Sequence, residues 1–392
     1  MKEHLKNSFE NANSKHLNNN YLVVGSSGTG KTTLFVDSQI RNAEGSIVVA
    51  DTKSNLYKKY RKLLIGKGYK VHLIDFIELS NSTIGYNPLD SLVNRESDCS
   101  PRELESIANL ICPFEPKETD PFWRASARMV ITAYLAFYLK LFGQKGCEKN
   151  LRTFSSIISD FRLDECYRII LDEGKTNTYV GRCFKDLMTL SQSEKTLASI
   201  WQFVTNSVKS FDTDEMVKFF TMQERFDTSK FAGEKTALFL NISDNDRTND
   251  SLIGMFYTQL FQRLISIADK NSDGKLAVPV NIILDDFATN AYIDGFANII
   301  SVIRSRGISV SIMLQGLSQL QSKYNYADAQ TIINNCDRCL YLGSNDYDTM
   351  KYFSLRADKP ISDLLSFPLD SALYFERGIE PKTIVKKYQY EI

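Results

Sequence analysis

The run Tyr21-Leu22-Val23-Val24-Gly25-Ser26-Ser27-Gly28-Thr29-Gly30-Lys31-Thr32-Thr33 decides how this chain is read. Gly25 to Thr32 meets GxxxxGK[ST] at every fixed position. The context that pattern needs is also present: an apolar run before it and a helix-compatible run, Thr33–Ile40, behind it. Glycines let the backbone curl so that successive N–H groups point at one anion. The helix starting near Lys31 adds its positive end. Lys31 then reaches the β- and γ-phosphates of a nucleotide, and the Thr32 hydroxyl ligates magnesium. Gly25, Ser26, Ser27, Gly28, Thr29, Gly30, Lys31, Thr32 and Thr33 are therefore the expected ATP- and Mg2+-binding residues.

A second motif answers the first. Ile282-Ile283-Leu284-Asp285-Asp286 reads as an apolar strand ending in two carboxylates, the pattern of a strand whose C-terminal end faces a nucleotide crevice. Asp285 is expected on magnesium, directly or through water. Asp286 stands where many such ATPases place a Glu that polarises the attacking water; the competing reading is a helix N-cap. Gln315, at the end of the next apolar strand, reads either as a sensor of the γ-phosphate or as an ordinary strand-end polar residue.

Working outward, short apolar runs recur at Ser46–Asp51, Tyr69–Asp75, Thr236–Ile242, Val280–Asp285, Ser309–Gln315 and Cys339–Gly343. Amphipathic stretches at Leu56–Leu64, Ser251–Ala268 and Gly295–Arg304 are interleaved with them. Fully apolar strands alternating with helices predict an α/β fold, a largely parallel sheet covered on both faces. Between Glu96 and Lys218 apolar residues recur at helical spacing instead, as in Leu104, Ile107, Ala108 and Ile111, and strand-like runs are absent. That stretch predicts an inserted all-α domain with a small core of its own. The expected organisation is a polar tail over 1–20, a nucleotide-binding domain in two parts, 21–95 and 219–392, and the all-α insert over 96–218.

Composition sets the outer bounds. Lys plus Arg is 47 and Asp plus Glu is 47, so the chain is no basic wrapper of nucleic acid, and any DNA contact must come from local loops or a pore formed by several subunits. Seven scattered cysteines in a long chain suit a reducing compartment. Cys336-x-x-Cys339 has no second pair or nearby His pair, so two thiols at a strand entry compete with a zinc or redox site. Met1–Asn20 is polar and Asn-rich and does not read as a signal peptide. Met129–Phe142 is the longest apolar stretch, interrupted by Lys140, and falls short of the ~20 residues that span a bilayer, so it reads as a buried helix.

Several segments together resemble the type IV coupling proteins of conjugative transfer and type IV secretion, the TraG/TraD-like group that includes VirD-type proteins. They are SIVVADTKSNLYKK (Ser46–Lys59), GYKVHLIDF with Gly85–Asp90 (GYNPLD), Asp120–Leu139 (DPFWRASARMVITAYLAFYL), ALFLNISDNDRTNDSLIGMFYTQLFQ, PVNIILDDFATN, IRSRGISVSIMLQGLSQL, NNCDRCLYLGSND and the late Arg377-Gly378. The resemblance implies a RecA-like P-loop NTPase with an all-α insert, working as a homo-hexamer around DNA, single- or double-stranded. It further implies a relaxase and the components of a type IV secretion channel as partners, and a place at the cytoplasmic face of a bacterial membrane. In such a ring, Arg304, Arg306 or Arg247 would be presented to a neighbour's γ-phosphate; otherwise each is a solvated or salt-bridged arginine.

The sequence departs from the family pattern in three ways. No N-terminal membrane anchor is legible, which implies a trimmed chain, a divergent form or a membrane-anchoring partner. Asp51-Thr52-Lys53-Ser54-Asn55 stands where the family usually has Asp-Pro-Lys-Gly-Glu, and Asp286 stands in place of Glu. Asp120-Pro121-Phe122-Trp123 reads as the opening of a helix stapled by its aromatic residues, or as a docking surface for cargo. Tyr57-Lys58-Lys59-Tyr60-Arg61-Lys62 interleaves cations and aromatics, which suits either base stacking or a solvated helix face. The functional expectation is an ATP-driven coupling motor. Against it stand a nucleotide-gated docking adaptor with little hydrolysis and a DNA translocase of the FtsK/HerA type.

Overall fold

The computed structural model describes residues 17–93, 100–113, 120–139 and 148–386. Within them the chain divides into two compact units, one comprising residues up to Thr83, Asp227–Arg247 and Tyr257 onward, the other Ile84–Phe226 with Thr248–Phe256.

The first unit is built on a nine-stranded sheet. All seven apolar runs form strands: β1 (Tyr21–Val24), β2 (Ser46–Asp51), β3 (Lys70–Asp75), β4 (Thr236–Asn241), β5 (Val280–Leu284), β6 (Ile308–Leu314) and β7 (Arg338–Tyr341). They pair in parallel in the order β3-β4-β2-β5-β6-β1-β7. Every residue of β1, β2, β4, β5 and β6 is buried, because helices cover both faces. Tyr21, Val23, Ile47, Val49, Phe239, Ile283 and Met313 pack from one face against Phe35, Ile40, Leu56, Tyr60 and Leu64. Each such large side chain taken fully out of water contributes about 1.5–3 kcal/mol.

Two strands were not legible. β8 (Ser371–Glu376) and β9 (Ile379–Val385) extend the sheet in antiparallel fashion beyond β7, turning at Arg377-Gly378. β9 is almost wholly exposed and carries Pro381, so it lacks the apolar signature of a covered strand; an edge strand tolerates both features. The expected tail over 1–20 lies outside the described residues as far as residue 16. Leu17–Asn20 are part of the fold. Asn18 and Asn20 are buried, and their side-chain amides donate to Asn335 O at 2.9 and 2.8 Å. Asn20 Oδ1 accepts from Val310 N at 3.0 Å, so this polar stretch is tied into the fold by hydrogen bonds within the chain.

The second unit is helical among its described residues apart from a single parallel bridge, Gly85 to Arg225. The expected insert ran from 96 to 218; the compact unit starts earlier, at Ile84, runs to Phe226, and also takes in Thr248–Phe256. Residue 96, Cys99, Cys147 and the end of the Met129–Phe142 run lie outside the described residues. The helix Phe122–Phe137 forms the axis of this unit's core, with Tyr134 packed on Phe184 (5.4 Å) and Trp201 (5.5 Å) and Phe137 on Phe184 (5.7 Å). Phe122 and Trp123 contact each other edge to face at 5.2 Å, and Phe122 stays 44% exposed. No described helix is long and apolar enough to cross a membrane.

Candidate nucleotide site

The parallel strands deliver their C-terminal ends to one edge of the sheet. Val24 lies beside Leu314 and Leu284 beside Ile312, so the residues that follow β1, β5 and β6 meet there. Gly25 N–H donates to Leu314 O (3.0 Å) and Ser26 N–H to Gly343 O (2.9 Å), which seats the phosphate loop between the ends of β6 and β7. Gly28 (φ +80°) and Gly30 (φ +93°) give the loop its left-handed turns. Thr29 Oγ1 donates to Ser26 O at 2.8 Å, and Thr33 Oγ1 reaches Gly30 O at 3.5 Å. A π-helical segment, Lys31–Val36, opens the helix behind the loop and continues as Asp37–Arg41.

Lys31 Nζ is folded into the loop, donating to Gly25 O (2.7 Å) and Ser26 O (3.3 Å). Burial lowers its affinity for a proton below that of an ordinary lysine. The Asp286 and Asp285 carboxylates oppose that shift, and Lys53 adds to it. The Thr32 hydroxyl donates to Asp285 Oδ2 at 2.7 Å, the length of a charge-assisted bond. Asp285 is 4% exposed. Burial pushes its pKa up to about 6, against the Thr32 hydrogen bond; the Asp286 charge also raises it, while Lys31 and the Asp286 N–H lower it.

Asp286 takes φ +45° and leads into the turn 287–290, whose Thr289 N–H and Oγ1 both donate to Asp286 O at 2.9 Å. No helix begins there, so the N-cap alternative is corrected: the next helix is Phe296–Val302. Gln315 follows β6 directly; its N–H donates to Gln319 Oε1 (3.2 Å) and its carbonyl accepts from Ser344 Oγ (3.1 Å).

Two of the three arginines are not brought together with these groups. Arg304 and Arg306 lie on a short turn before β6, at the opposite edge of the sheet, a strand length or roughly 20 Å from Gln315. Arg306 is engaged by Asp269 (Nε to Oδ1, 2.7 Å) and by Val302 O (2.6 Å), whereas Arg304 is exposed. Arg247 is at the near edge, and its Nη1 donates to Thr289 O.

At two other places burial favours the structural alternative. Tyr60 is 1% exposed, and Tyr57 packs edge-on against Phe239 at 5.9 Å, so the basic-aromatic helix Leu56–Gly66 presents no stacking platform. Lys59 is tied to Asp37 at 2.5 Å. Cys336 and Cys339 are both buried, Cys336 Sγ donates to Ile332 O (3.4 Å), and burial pushes the Cys339 thiol up to about 12.

Sequence reasoning missed two contributors. Asn345 N–H donates to Ser26 Oγ at 3.1 Å, joining the loop after β7 to the phosphate loop. Its only signal was LGSND at a strand end. Lys323 reaches the turn behind Asp286 through main-chain carbonyls, which no motif records.

Residues 4–357 match the family described as Type IV secretory system Conjugative DNA transfer. The chain belongs to this family. Protein VirD4 of Rhizobium radiobacter is 21% identical over 363 residues, covering 92% of this chain and 51% of that protein. The chain thus spans about half the length of the curated relatives it matches. Among solved structures, the bacterial conjugative coupling protein TrwBdeltaN70 in complex with sulphate superposes with a TM-score of 0.69 at 15% identity, covering 94% of this chain and 86% of that one. The plasmid coupling protein TrwB in complex with ADP and Mg2+ gives 0.67, also at 15% identity, with 94% and 86% covered. The fold of this family member is accordingly the RecA-like P-loop NTPase fold.

Proposed function

We propose that this chain binds and hydrolyses ATP as a coupling protein, using the energy to move relaxase-bound DNA to a type IV secretion channel. The observation that carries the reading is the 2.7 Å contact between Thr32 and Asp285, two residues far apart in sequence and joined beside Lys31. The donor set fits the implied ligands. A threonine hydroxyl and a carboxylate are hard oxygen donors suited to Mg2+, and a glycine-rich loop leading into a helix suits phosphate. Magnesium bound there would neutralise charge on the terminal phosphates.

The protein's own groups divide the work. Lys31 exchanges its loop carbonyls for β- and γ-phosphate oxygens. Thr32 and Asp285 would hold the metal. Asp286 orients the attacking water and takes its proton, and Gln315 reads the γ-phosphate. The exposed Arg304 sits at the far edge of the sheet, so it could serve only a neighbouring subunit's site, which fits a homo-hexamer. Relaxase, channel components and a membrane-anchoring partner complete the proposal, at the cytoplasmic face of the membrane.

The test is ATP turnover with and without single- and double-stranded DNA for wild type, Lys31→Ala and Asp286→Glu. DNA-stimulated turnover that Lys31→Ala abolishes is expected. Tight ATP binding with no turnover under ring-forming conditions would instead make the protein a docking adaptor.

A further inference from the structure

The turn behind Asp286 has an arrangement that the phosphate loop and the carboxylates do not account for. Its successive carbonyls, Phe287 to Asn290, are all taken by two cations. Lys323 Nζ donates to Phe287 O (2.9 Å), to Ala288 O (3.5 Å) and to Asn290 O, and lies 5.1 Å from the centre of the Phe287 ring. Arg247 takes the remaining one, Thr289 O. Such carbonyls have no ladder partners of their own, because β5 has already ended at Leu284.

Lys323 is also placed to report on the neighbouring strand. It is the last residue of the helix Leu317–Lys323, which starts just beyond Gln315. That start is pinned by Gln319 Oε1 on the Gln315 N–H and by Thr349 Oγ1 on the Leu317 N–H (2.7 Å). Beside Lys323, Tyr324 stacks on Phe287 at 5.9 Å and 16°, and its hydroxyl accepts from Ile293 N–H at 3.2 Å.

We infer that Lys323 and Arg247 are positioning residues that act within their own chain, clasping the turn 287–290 so that Asp285 and the left-handed Asp286 keep their places, with Lys323 linking that turn to the Gln315 strand. The inference rests on the proposed ATP site and reassigns Arg247 from a neighbour's site to its own. A cation shared among several carbonyls suits this task, since charge-assisted hydrogen bonds are the strong ones.

The experiment uses the full chain with Lys323→Met, Lys323→Arg and Arg247→Gln. Three readouts are compared: amide exchange across 286–290 without nucleotide, ADP affinity with and without Mg2+, and the kcat and KM of ATP turnover. Lys323→Met is expected to speed exchange in that turn, to lose most of the Mg2+-dependent gain in ADP affinity, and to keep the Mg2+-free affinity. Its kcat should fall roughly 10- to 100-fold, as misplacement of reacting groups produces, and its KM for Mg-ATP should rise along with the lost Mg2+-dependent affinity. Lys323→Arg should restore much of the loss. Unchanged exchange and unchanged Mg2+ dependence in a folded Lys323→Met would overturn the inference. Should that variant fail to fold, Arg247→Gln, at an exposed residue, carries the same readouts. Mixing Arg247→Gln with Lys31→Ala should recover no turnover; recovery would place Arg247 in a neighbour's site and overturn its role here. A wild type that binds ADP in a Mg2+-dependent way but never turns over would sink the hydrolysis reading alone, because exchange and Mg2+ dependence still decide the clasp.

Discussion

The strand ends β1, β2 and β5 each turn through left-handed backbone, and they do it with different residues. After β1 the turn is made by Gly28 and Gly30; after β2 it is made by Ser54 (φ +53°), and after β5 by Asp286 (φ +45°). A residue with a Cβ is strained there by about 1–2 kcal/mol. In the phosphate loop the backbone N–H groups are themselves the functional groups, so a side chain would only obstruct. After β5, on the proposed function, the side chain would be the functional group, and the strain would be carried for the sake of a carboxylate in that place. Ser54 fits neither case. It occupies the position where the resembled pattern has Gly, and its turn survives because the Asp51 carboxylate accepts from Lys53 N–H (3.0 Å) and Leu56 N–H (2.6 Å).

That contrast can be broken at each point. Asp286→Asn keeps a residue that tolerates left-handed backbone and removes the charge. Turnover should fall roughly 100-fold or more, the scale of a lost general base, with ADP affinity and melting temperature held. A melting temperature that collapsed would make Asp286 a structural residue. Gly30→Ala should weaken ADP binding by about tenfold and lower stability by about 1–2 kcal/mol, read by titration and thermal melting. Unchanged binding would show that the loop does not need its φ of +93°. Ser54→Gly should do the opposite and raise stability by about 1 kcal/mol with turnover untouched. No gain in the melt would mean that Asp51 has already absorbed the strain. The smallest effect is expected at the far edge of the sheet, where Arg306→Ala, losing its half-exposed pair with Asp269, should cost at most about 1 kcal/mol and leave nucleotide affinity alone.

The strands covered on both faces were legible because burial on both sides forces apolar runs, as in β1, β2, β4, β5 and β6, while β3, at the opposite edge, is buried only over its second half. The edge hairpin was not, because exposure relaxes that demand on β9. At the site, Lys31, Thr32 and Asp285 were legible because their chemistry needs fixed residue types at fixed spacing. The arginines were not. Arg247, Arg304 and Arg306 look alike in sequence, yet one binds a carbonyl, one is exposed and one is held by Asp269. The helix Leu56–Gly66 was left open between base stacking and a solvated face for the same reason, since composition cannot tell that Tyr60 faces the core.

By itself, then, the sequence determined the fold class, the phosphate loop and the carboxylate strand, since each is a local pattern of residue type and spacing answering a local physical need. Only the tertiary structure decided which cations serve the site. A lysine or arginine declares its charge in the sequence, but its partner is whatever the chain brings within hydrogen-bond reach. At Lys323 and Arg247 that partner is main-chain oxygen, which every residue carries and no sequence distinguishes.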